Sequence, residues 1–468
     1  MRHKFVPLLA LALAMLACSV IPSQPTEIPG GIETSAAATL TALAPTLPPA
    51  TDTVEAPPAT EPPTAAPATA TPAPFGCAVA YSDFVFETGA GSVTCLGGDG
   101  APRVLATANR PASPLISPDG ALVAFSVEVS EGISQLWVVS AAGGDARPLV
   151  GADQLPSADP TLVNSPGHYE WLAGTHTLAF DSRFTFTGGP VGPGEYINRD
   201  LWTVNADSGA VSAVLPAGAA GAFAASPDGQ NIAISRPEGL DLVNADGTNY
   251  RQNVITFPSI ITYSEYQYKP RPQWAADGTF FSVSIPSPDP MAADVSTALY
   301  RVAVDGTVTP LGTLPANTVF GGAINPPLFS ANGQYAVYSQ GMADGSGDVM
   351  HTLQFLAEGG FGDTAVGPDQ GRQGWGWSPD SAQFAYTLFP DGVTGQLFAA
   401  ATTAETVTPL AAGLTAVRDL EWENGATVVF LGIIGGGDVW SLYRQTLGSD
   451  PVLLAGGLSL QAYMDVRN

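Results

Sequence analysis

A short turn motif, repeated along the chain, constrains the fold more than any other feature. The segment Ser117–Gly120 (Ser-Pro-Asp-Gly) lies between one short apolar run and another, Ala121–Val127. Pro fixes φ and Gly tolerates positive φ, so this tetrapeptide predicts a tight turn between two strands. Two further predicted strands, Gln135–Ser140 and Arg147–Val150, complete a four-stranded antiparallel unit. A single sheet of this kind leaves both faces uncovered, so copies must stack to form a core.

The copies are located by the residue that precedes each turn, which is usually apolar and often Trp. These anchor residues lie 45 to 55 residues apart and are Ile116, Trp171, Ala225, Trp274, Phe329, Trp377 and Trp422. Four strands repeated at a period of about 40–50 residues are typical of propeller blades. The sequence therefore predicts an all-β chain that forms a β-propeller of four-stranded antiparallel blades.

The two ends of the repeat region complement each other. Before the first complete unit, residues 79–82 match the second strand of the motif, but a Thr/Pro-rich tract stands where the first strand should be. After the last unit, Ser459–Val466 is a lone strand-like segment. We expect this C-terminal strand to complete the N-terminal blade, because that pairing removes two exposed sheet edges. The prediction is eight blades, with seven as the alternative if the unit at Trp171 is not a blade.

The N-terminal segment has the residue pattern of an export signal. Residues 1–4 are basic, residues 5–16 are apolar but too short for a typical membrane span, and Cys18 follows directly after Ala17. This pattern resembles the bacterial lipoprotein signal, which implies lipidation of Cys18 and anchoring to the outer face of a bacterial membrane. An ordinary secretory signal with an incidental Cys is the alternative.

Composition divides the rest of the chain into a tether and a folded domain. Residues 19–74 are dominated by Thr, Pro and Ala and contain no aromatic residue, so they cannot bury enough apolar surface to order themselves. We expect a disordered, semi-extended tether over 19–74 and a propeller domain over 75–468. The tether either holds the domain clear of the envelope surface or is a passive spacer.

Charge and cysteine content restrict the partners and the compartment. The formal net charge is −26, and the only lysine after residue 4 is Lys269, which argues against nucleic acid and anionic membrane surfaces as partners. Cys77 and Cys95 fall on neighbouring predicted strands of the first blade. We expect them to form a disulfide in an oxidising compartment, with reduced buried thiols as the alternative. We expect a monomer that touches the membrane only through its lipid anchor.

The turn motif also carries a family resemblance. The segments that begin at Ser117, Ser226 and Ser378, each followed by a strand such as Val-Ala-Phe-Ser, resemble the PD40 (WD40-like) repeats of the TolB propeller family. The resemblance covers residues 77–466 and implies an extracytoplasmic protein-interaction scaffold. The same repeats occur in propellers of prolyl oligopeptidases. The chain has no Gly-x-Ser-x-Gly elbow, and the resemblance therefore does not imply peptidase activity.

No residue pattern indicates a metal, a cofactor or a catalytic group. Asp before Gly in a tight turn has the structural task of bonding its own backbone, so the repeated Asp residues are interpreted as turn residues. The spacing of His168, His176 and His351 fits no common zinc pattern. We predict no metal, no cofactor and no catalytic residue. An enzyme is the less favoured interpretation.

Loop lengths point to one face of the propeller as the binding face. First-to-second and third-to-fourth turns share one edge, here called the short-turn rim; second-to-third loops and links between blades share the other, the long-loop rim. The predicted long insertions fall on the long-loop rim and are 151–169, 183–199, 257–273, 286–297 and 341–350. Long loops on a rigid scaffold are where binding sites usually lie.

One of these insertions, 257–273, has the composition of a binding surface. Tyr and Arg are enriched at binding hot spots, and a basic pair is unusual in so acidic a chain. The predicted ligand-binding residues are Tyr263, Tyr266, Tyr268, Lys269 and Arg271, with Phe184, Phe186, Tyr196 and Arg199 across the channel mouth. The alternative is that these aromatic residues pack the loop onto the rim.

The sequence thus predicts a surface-anchored binding module for a protein or peptide of the cell envelope. The alternative is a glycan-binding or glycan-cleaving propeller enzyme that uses carboxylates at the channel mouth. The candidate carboxylates for that alternative are Asp181, Glu195, Asp200 and Glu265. A purely structural envelope component is a third interpretation.

Overall fold

The computed structural model describes most of the chain after the Thr/Pro-rich tract. The described residues are 76–467 apart from 99, 158, 187–195, 264–265, 290–291, 293–294, 315–318, 321–322, 325, 342–347, 358, 367–371 and 403–405. The predicted signal segment, Cys18 and the tether lie outside the described residues.

The described residues form antiparallel sheets that follow one another in chain order. Sheet 1 contains Cys77–Phe84, Ala90–Gly97, Pro102–Asn109 and, from the C-terminus, Tyr463–Val466. Sheet 2 contains Ala112–Ile116, Leu122–Ser130, Ile133–Ser140 and Arg147–Val150. Sheet 3 contains Leu162–Leu172, Thr177–Phe186, Leu201–Asn205 and Val211–Leu215. Sheet 4 contains Ala222–Ala225, Asn231–Arg236, Gly239–Asn244 and Arg251–Thr256.

The second half of the chain continues the pattern. Sheet 5 contains Gln273–Trp274, Phe280–Pro286, Thr297–Ala303 and Val308–Leu314. Sheet 6 contains Leu328–Phe329, Tyr335–Gly341, Asp348–Phe355 and Phe361–Ala365. Sheet 7 has seven strands: Arg372–Trp377, Gln383–Leu388, Gly395–Ala401, Val407–Asn424, Thr427–Ile434, Trp440–Thr446 and Val452–Leu458. Two small hairpins (Ile261–Tyr263 with Tyr266–Gln267, and Val319–Phe320 with Ala323–Ile324) and a 3-10 turn at Ala152–Gln154 complete the described elements.

The predicted all-β class and four-stranded antiparallel sheets are confirmed, and the turn motif explains how each sheet begins. In the first copy, Ser117 donates from Oγ to Oδ1 of Asp119 at 2.7 Å, and the Ala121 N–H donates to the same oxygen at 3.0 Å. Gly120 closes the turn at φ 75°, which only Gly adopts without strain. In a later copy, hydrogen bonds from Ser378 and Ala382 hold the pKa of Asp380 below its ordinary value. These carboxylates are turn residues, as the sequence pattern indicates.

The core lies between the sheets rather than inside any one of them. Seven of the eight hydrophobic clusters contain residues of two neighbouring sheets, and the eighth joins the first and second halves of the seven-stranded sheet 7. Five second strands contribute a fully buried Phe at one of two positions, either opposite the anchor residue or two residues further on: Phe281 and Phe384 at the first, and Phe125, Phe180 and Phe430 at the second. One cluster joins the end of the chain to its beginning, because Val429 and Leu442 pack with Val79 and Leu96.

The first strands of neighbouring sheets are tied together through side chains. Four Trp anchors donate their indole N–H to a backbone carbonyl of the preceding four-stranded group, in the pairs Trp171 to Leu115, Trp274 to Ala224, Trp377 to Leu328 and Trp422 to Gly376. Acidic or amide side chains reach in the other direction, to a backbone N–H of the following group, in the pairs Glu170 to Ala225, Gln273 to Phe329, Glu421 to Val466 and Asp465 to Ile116. Satisfied buried polar groups of this kind fix the spacing of the strands.

A disulfide joins Cys77 and Cys95 on two neighbouring strands of sheet 1, with a Cα–Cα distance of 5.7 Å. In the same sheet, Val79 to Ser82 pair with the C-terminal strand Tyr463–Val466. Covalent and hydrogen-bonded links therefore converge on the sheet that contains both ends of the described chain.

Candidate functional site

The first strands of sheets 3 to 7 surround a cavity of about 540 Å³, whose lining extends from the link residues Lys269–Pro272 on the long-loop rim to Ala331 in a turn of the short-turn rim. Its lining combines one basic segment, a His–Glu pair and a large apolar surface. The lining residues are His168, Glu170, Ala222, Phe223, Ala224, Lys269, Pro270, Arg271, Pro272, Gln273, Trp274, Pro326, Leu328, Phe329, Ala331, Gly376 and Trp377. Cavities of this size and composition are typical of ligand sites.

The basic segment is Lys269–Pro272, which leads directly into the first strand of sheet 5. Pro270 and Pro272 are buried. Their fixed φ angles restrict the backbone that carries Arg271, which lies between them, and Lys269, which precedes Pro270. Burial lowers the pKa of Lys269, and the carboxylate of Asp181 opposes that shift. Arg271 is exposed at the cavity. Both predicted cations therefore lie at the cavity.

Another part of the wall is formed by His168 and Glu170. His168 Nε2 lies 2.8 Å from Glu170 Oε1, and its ring contacts that of Phe223 with centroids 5.0 Å apart. Burial lowers the pKa of His168, but the hydrogen bond and charge of Glu170 outweigh burial, and the net shift is upward. Arg271 acts on the same ring as a nearby positive charge. The basic segment and this imidazole are thus electrostatically coupled.

One buried carboxyl stands behind this wall. Asp181 Oδ1 accepts the backbone N–H of His168 at 2.7 Å. Burial raises the pKa of Asp181 to about 6, although the His168 N–H and the positive charge near it pull in the other direction. Asp200, the second described candidate carboxylate, accepts hydrogen bonds from Ser182 and Trp202. Glu195 and the side chain of Glu265 lie outside the described residues.

The other polar side chain of the cavity already has its partners. Gln273 accepts from the Phe329 N–H at 2.9 Å and donates to the Pro327 carbonyl at 2.8 Å. Glu170 likewise bonds both His168 and the Ala225 N–H. The cavity can therefore offer positive charge and apolar contact, but few donors or acceptors for a ligand rich in hydroxyl groups.

The three predicted tyrosines have different fates. Tyr268 is buried in the cluster between sheets 4 and 5, where its hydroxyl donates to the Ser284 carbonyl at 2.8 Å. Burial raises the pKa of Tyr268 to about 12. For this residue the alternative interpretation applies, since the phenol packs the link onto the sheets. Tyr263 and Tyr266 pair through their backbones in a hairpin, and their side chains lie outside the described residues.

The predicted aromatic residues of sheet 3 form a separate cluster. The rings of Phe184, Phe186 and Tyr196 pack edge to face with centroids 5.7 to 6.4 Å apart. Phe186 keeps 43% of its surface exposed. Arg199 has a positive φ of 53°, and its carbonyl accepts the Ala220 N–H. This cluster lies on the long-loop rim but does not line the cavity, so the structure does not join the two predicted groups into one pocket.

The exposed apolar surface is concentrated on the same rim. Of the thirteen large apolar residues exposed in the described part of the chain, six lie in second-to-third loops or links between sheets and two at the ends of second strands on the same rim. These eight are Val85, Phe86, Val129, Phe186, Ile261, Val393, Val439 and Leu460. Only Phe186 was predicted as a binding residue. Ile261 lies in the predicted insertion 257–273 but was not singled out, and the others lie in short loops or at a strand end, where one or two apolar residues give no signal in the sequence.

A smaller cavity of about 290 Å³ lies between sheets 1, 2 and 3 on this rim. The guanidinium of Arg110 lies 5.5 Å from the ring centroid of Phe86 and pairs with Glu128 at 3.0 Å. Arg183 bonds Ser134 at its other wall. Loops of three consecutive sheets are therefore held together by polar contacts beneath exposed aromatic residues.

The remaining histidines are each paired with carboxylates. His176 lies 3.0 Å from carboxylate oxygens of Asp119 and Asp207, and His351 lies 2.9 Å from Asp363. Within the described residues, no group of three or more His, Cys, Asp or Glu side chains could hold a metal ion. The same residues include no helix with the length and apolarity needed to span a membrane.

An acidic group lies where the first and last sheets meet. Asp465 Oδ2 accepts the Ile116 N–H at 2.7 Å, and Glu421 Oε2 accepts the Val466 N–H at 2.9 Å. Burial, reinforced by the charges of Asp465 and Asp419, raises the pKa of Glu421 to about 9. Burial and Asp419 raise the pKa of Asp465 to about 7. Neither carboxyl was singled out by sequence reasoning.

Comparison with known proteins gives likeness of structure only. No protein-family model matches the chain, and no curated protein matches it. Dipeptidyl peptidase 4 of Porphyromonas gingivalis is similar at a TM-score of 0.50 and 14% identity, over 74% of this chain and 53% of that one. The chain therefore spans about half the length of that peptidase.

Two other solved structures are similar at lower scores. The β-propeller domain of the Trilobed protease from Pyrococcus furiosus matches at a TM-score of 0.43 and 10% identity, over 74% of this chain and 97% of that one. TolB from Acinetobacter baumannii matches at 0.33 and 13%, over 65% and 72%. Stacked four-stranded antiparallel sheets in chain order are the architecture of a β-propeller, and that is the fold of this chain.

Proposed function

We propose that this chain is a lipid-anchored, extracytoplasmic propeller of eight blades that binds a protein or peptide of the cell envelope through its long-loop rim. The observation that carries the proposal is that eight of the thirteen exposed large apolar residues of the described part of the chain lie toward that rim, together with the basic segment Lys269–Pro272 of the 540 Å³ cavity. Loops gathered on one rim of a rigid scaffold are where binding residues usually lie.

The count of eight is supported by the sheet order. Six sheets have four strands each. In sheet 7, the long strand Val407–Asn424 pairs with Gly395–Ala401 through its first residues and with Thr427–Ile434 through its last. That strand serves as the outer strand of one blade and the inner strand of the next, which makes two blades of sheet 7. In this proposal the C-terminal strand closes the ring, because it is the first strand of sheet 1.

Strand direction leaves the long-loop rim free of the start of the described chain. Sheet 1 begins with Cys77–Phe84, which runs toward the long-loop rim, so the described chain starts at the short-turn rim.

The proposal is tested with two matched triple variants of the exported domain. The rim variant Phe86→Ser, Phe186→Ser, Val439→Ser removes apolar side chains from the long-loop rim. The control Val104→Ser, Val452→Ser, Leu453→Ser removes three from fourth strands, and these are 58–60% exposed. Each immobilised protein is exposed to a cell-envelope extract, and retained proteins are quantified.

We expect one or a few proteins to be retained by the wild type and the control but lost from the rim variant. Equal loss from both variants would indicate non-specific apolar binding. Retention by all three would show that the binding face is elsewhere.

An enzyme acting on glycans is the second candidate. The observation in its favour is Asp181, whose pKa of about 6 suits acid–base chemistry and whose carboxylate touches the backbone of His168 at the cavity. Turnover of an oligosaccharide panel that disappears in Asp181→Asn would replace the binding role by this one.

A further inference from the structure

We propose that the 540 Å³ cavity binds an acidic peptide segment, with a carboxylate held between Lys269, Arg271 and His168 and a neighbouring bulky apolar side chain seated against the aromatic wall. The inference deepens the proposed function and rests on it, since it names the kind of segment that the long-loop rim would take.

The distribution of positive charge is the first step. The whole chain has 16 Lys and Arg residues against 42 Asp and Glu residues, and Lys269 is the only lysine outside the first four residues. This lysine and Arg271 lie two positions apart in the lining of the cavity. His168 lines the same cavity, and Arg271 acts on it as a nearby positive charge. Three cationic or protonatable donors thus line one cavity, a composition suited to an anion.

Backbone rigidity is the second step. Pro270 and Pro272 are buried and alternate with the two cations, so the backbone is held in an extended form with few accessible conformations. Glu170 holds the imidazole of His168 from the other side at 2.8 Å. A site whose charged groups are held in place before binding loses less entropy when the ligand arrives.

The apolar lining decides between classes of acidic ligand. Phe223, Trp274, Phe329 and Trp377 line the cavity together with alanines and prolines. The indole N–H groups of Trp274 and Trp377 are already donated to backbone carbonyls. Hydroxyl-rich acidic sugars need many additional polar partners, whereas a peptide carboxylate beside an aromatic or aliphatic side chain needs only charge and apolar contact. The chemistry therefore fits an acidic, apolar peptide.

The test begins with an array of octapeptides of random sequence that have acetylated and amidated ends. The wild-type domain is compared with Lys269→Met, with the double variant Lys269→Met, Arg271→Met, and with a charge-matched control, Arg103→Gln, Arg251→Gln, on the short-turn rim. Circular dichroism checks that each variant is folded. Three ligands are then titrated calorimetrically: the best peptide, its Asp→Asn or Glu→Gln analogue, and trigalacturonate, which represents hydroxyl-rich acidic sugars.

We expect Asp or Glu next to aromatic or aliphatic residues to be enriched for the wild type and the control but not for the double variant. The best peptide should bind the double variant roughly tenfold or more weakly, because charge-assisted hydrogen bonds are lost. Its neutral analogue should lose a similar factor. Binding should also weaken as salt is raised.

Three results would overturn the inference: no acidic enrichment, the same enrichment in the double variant, or binding of trigalacturonate that displaces the best peptide and is tighter than it. None of these results depends on the rim variant. If the envelope partner is still lost from the Phe86, Phe186, Val439 variant while the array shows no acidic preference, the proposed function stands and this inference fails.

Discussion

Replacing Glu421 by Gln should change how stability depends on pH. The carboxyl of Glu421 is buried beside Asp465 and Asp419, and its pKa is raised to about 9. An unfolded chain ionises the same group near its ordinary value of 4.5. Between these two pH values the folded protein keeps a proton that the unfolded chain has lost. The contribution of Glu421 to the free energy of unfolding is therefore fully present below the unfolded pKa and falls as pH rises.

The magnitude follows from proton linkage. One extra proton bound by the folded state lowers the free energy of unfolding by about 1.4 kcal/mol for each pH unit. From pH 5.5 to 7.5, Glu421 should therefore lower the free energy of unfolding by roughly 3 kcal/mol. Gln is isosteric with the protonated acid, and its amide oxygen can still accept the Val466 N–H. At pH 5.5 the variant should match the wild type within about 1 kcal/mol.

The assay is urea unfolding followed by tryptophan fluorescence at pH 5.5, 6.5 and 7.5. Relative to wild type, the free energy of unfolding of Glu421→Gln should rise by roughly 3 kcal/mol over this range. A control substitution of an exposed acid, Glu87→Gln, should leave the pH dependence unchanged. Parallel pH curves for wild type and Glu421→Gln would refute the reasoning, because they would mean that the carboxyl ionises alike in both states.

Three other predictions follow from local geometry. Gly218 and Gly229 both have positive φ, but a Cβ at Gly229 would lie 2.6 Å from the Ala173 carbonyl oxygen, whereas a Cβ at Gly218 meets no heavy atom within 4 Å. In urea unfolding, Gly218→Ala should cost about 1 kcal/mol and Gly229→Ala at least about 2 kcal/mol more. The pKa of His176 is raised because its two carboxylate partners outweigh burial, so an NMR titration should give a value above 6.5 that falls in Asp207→Asn. Since His176 gains stability only in its charged form, that gain should be complete below pH 6.5 and lost as pH rises through the folded pKa. Replacing both cysteines of the disulfide by Ser should lower the free energy of unfolding by about 3 kcal/mol, and thiol reductant should then have no further effect.

The strands and turns could be predicted from the sequence because their causes are local. The hydrogen bonds of the Ser-Pro-Asp-Gly turn join residues within five positions of one another, as Ser117 and Leu122 do. The period of the anchors then fixes the stacking of sheets, because each sheet must cover the faces of its neighbours. The Trp anchors were visible in the sequence, but their hydrogen bonds were not. Each indole reaches a carbonyl about 50 residues away, as in Trp274 to Ala224.

The site could be predicted only in part for the same reason. Lys269 and Arg271 stand out because cations are rare in the chain, and they do lie at the cavity. Tyr268, one residue away, looks equally suitable in the sequence but points into the core between sheets 4 and 5. The alternation of tyrosines with polar residues along an irregular link does not reveal which side chains point into the core. The aromatic wall was also missed as a site, because Trp274 and Trp377 were interpreted as repeat anchors alone.

Arginine side chains tie neighbouring sheets together on both rims, and on the long-loop rim they also line cavities. On the short-turn rim, arginines donate to backbone carbonyls of another sheet, in the pairs Arg103 to Ala141, Arg147 to Ala206, Arg251 to Val304, Arg301 to Gly333 and Arg467 to Asp119. A guanidinium there replaces what a longer loop would otherwise provide, a polar link between neighbouring sheets. On the long-loop rim, Arg110 and Arg183 line a cavity and also bond Glu128 and Ser134 of a neighbouring sheet. The loops of this rim are tied together further by contacts such as Thr185 to Gly132. This is the arrangement expected where the scaffold, rather than the ligand, holds the binding surface in shape.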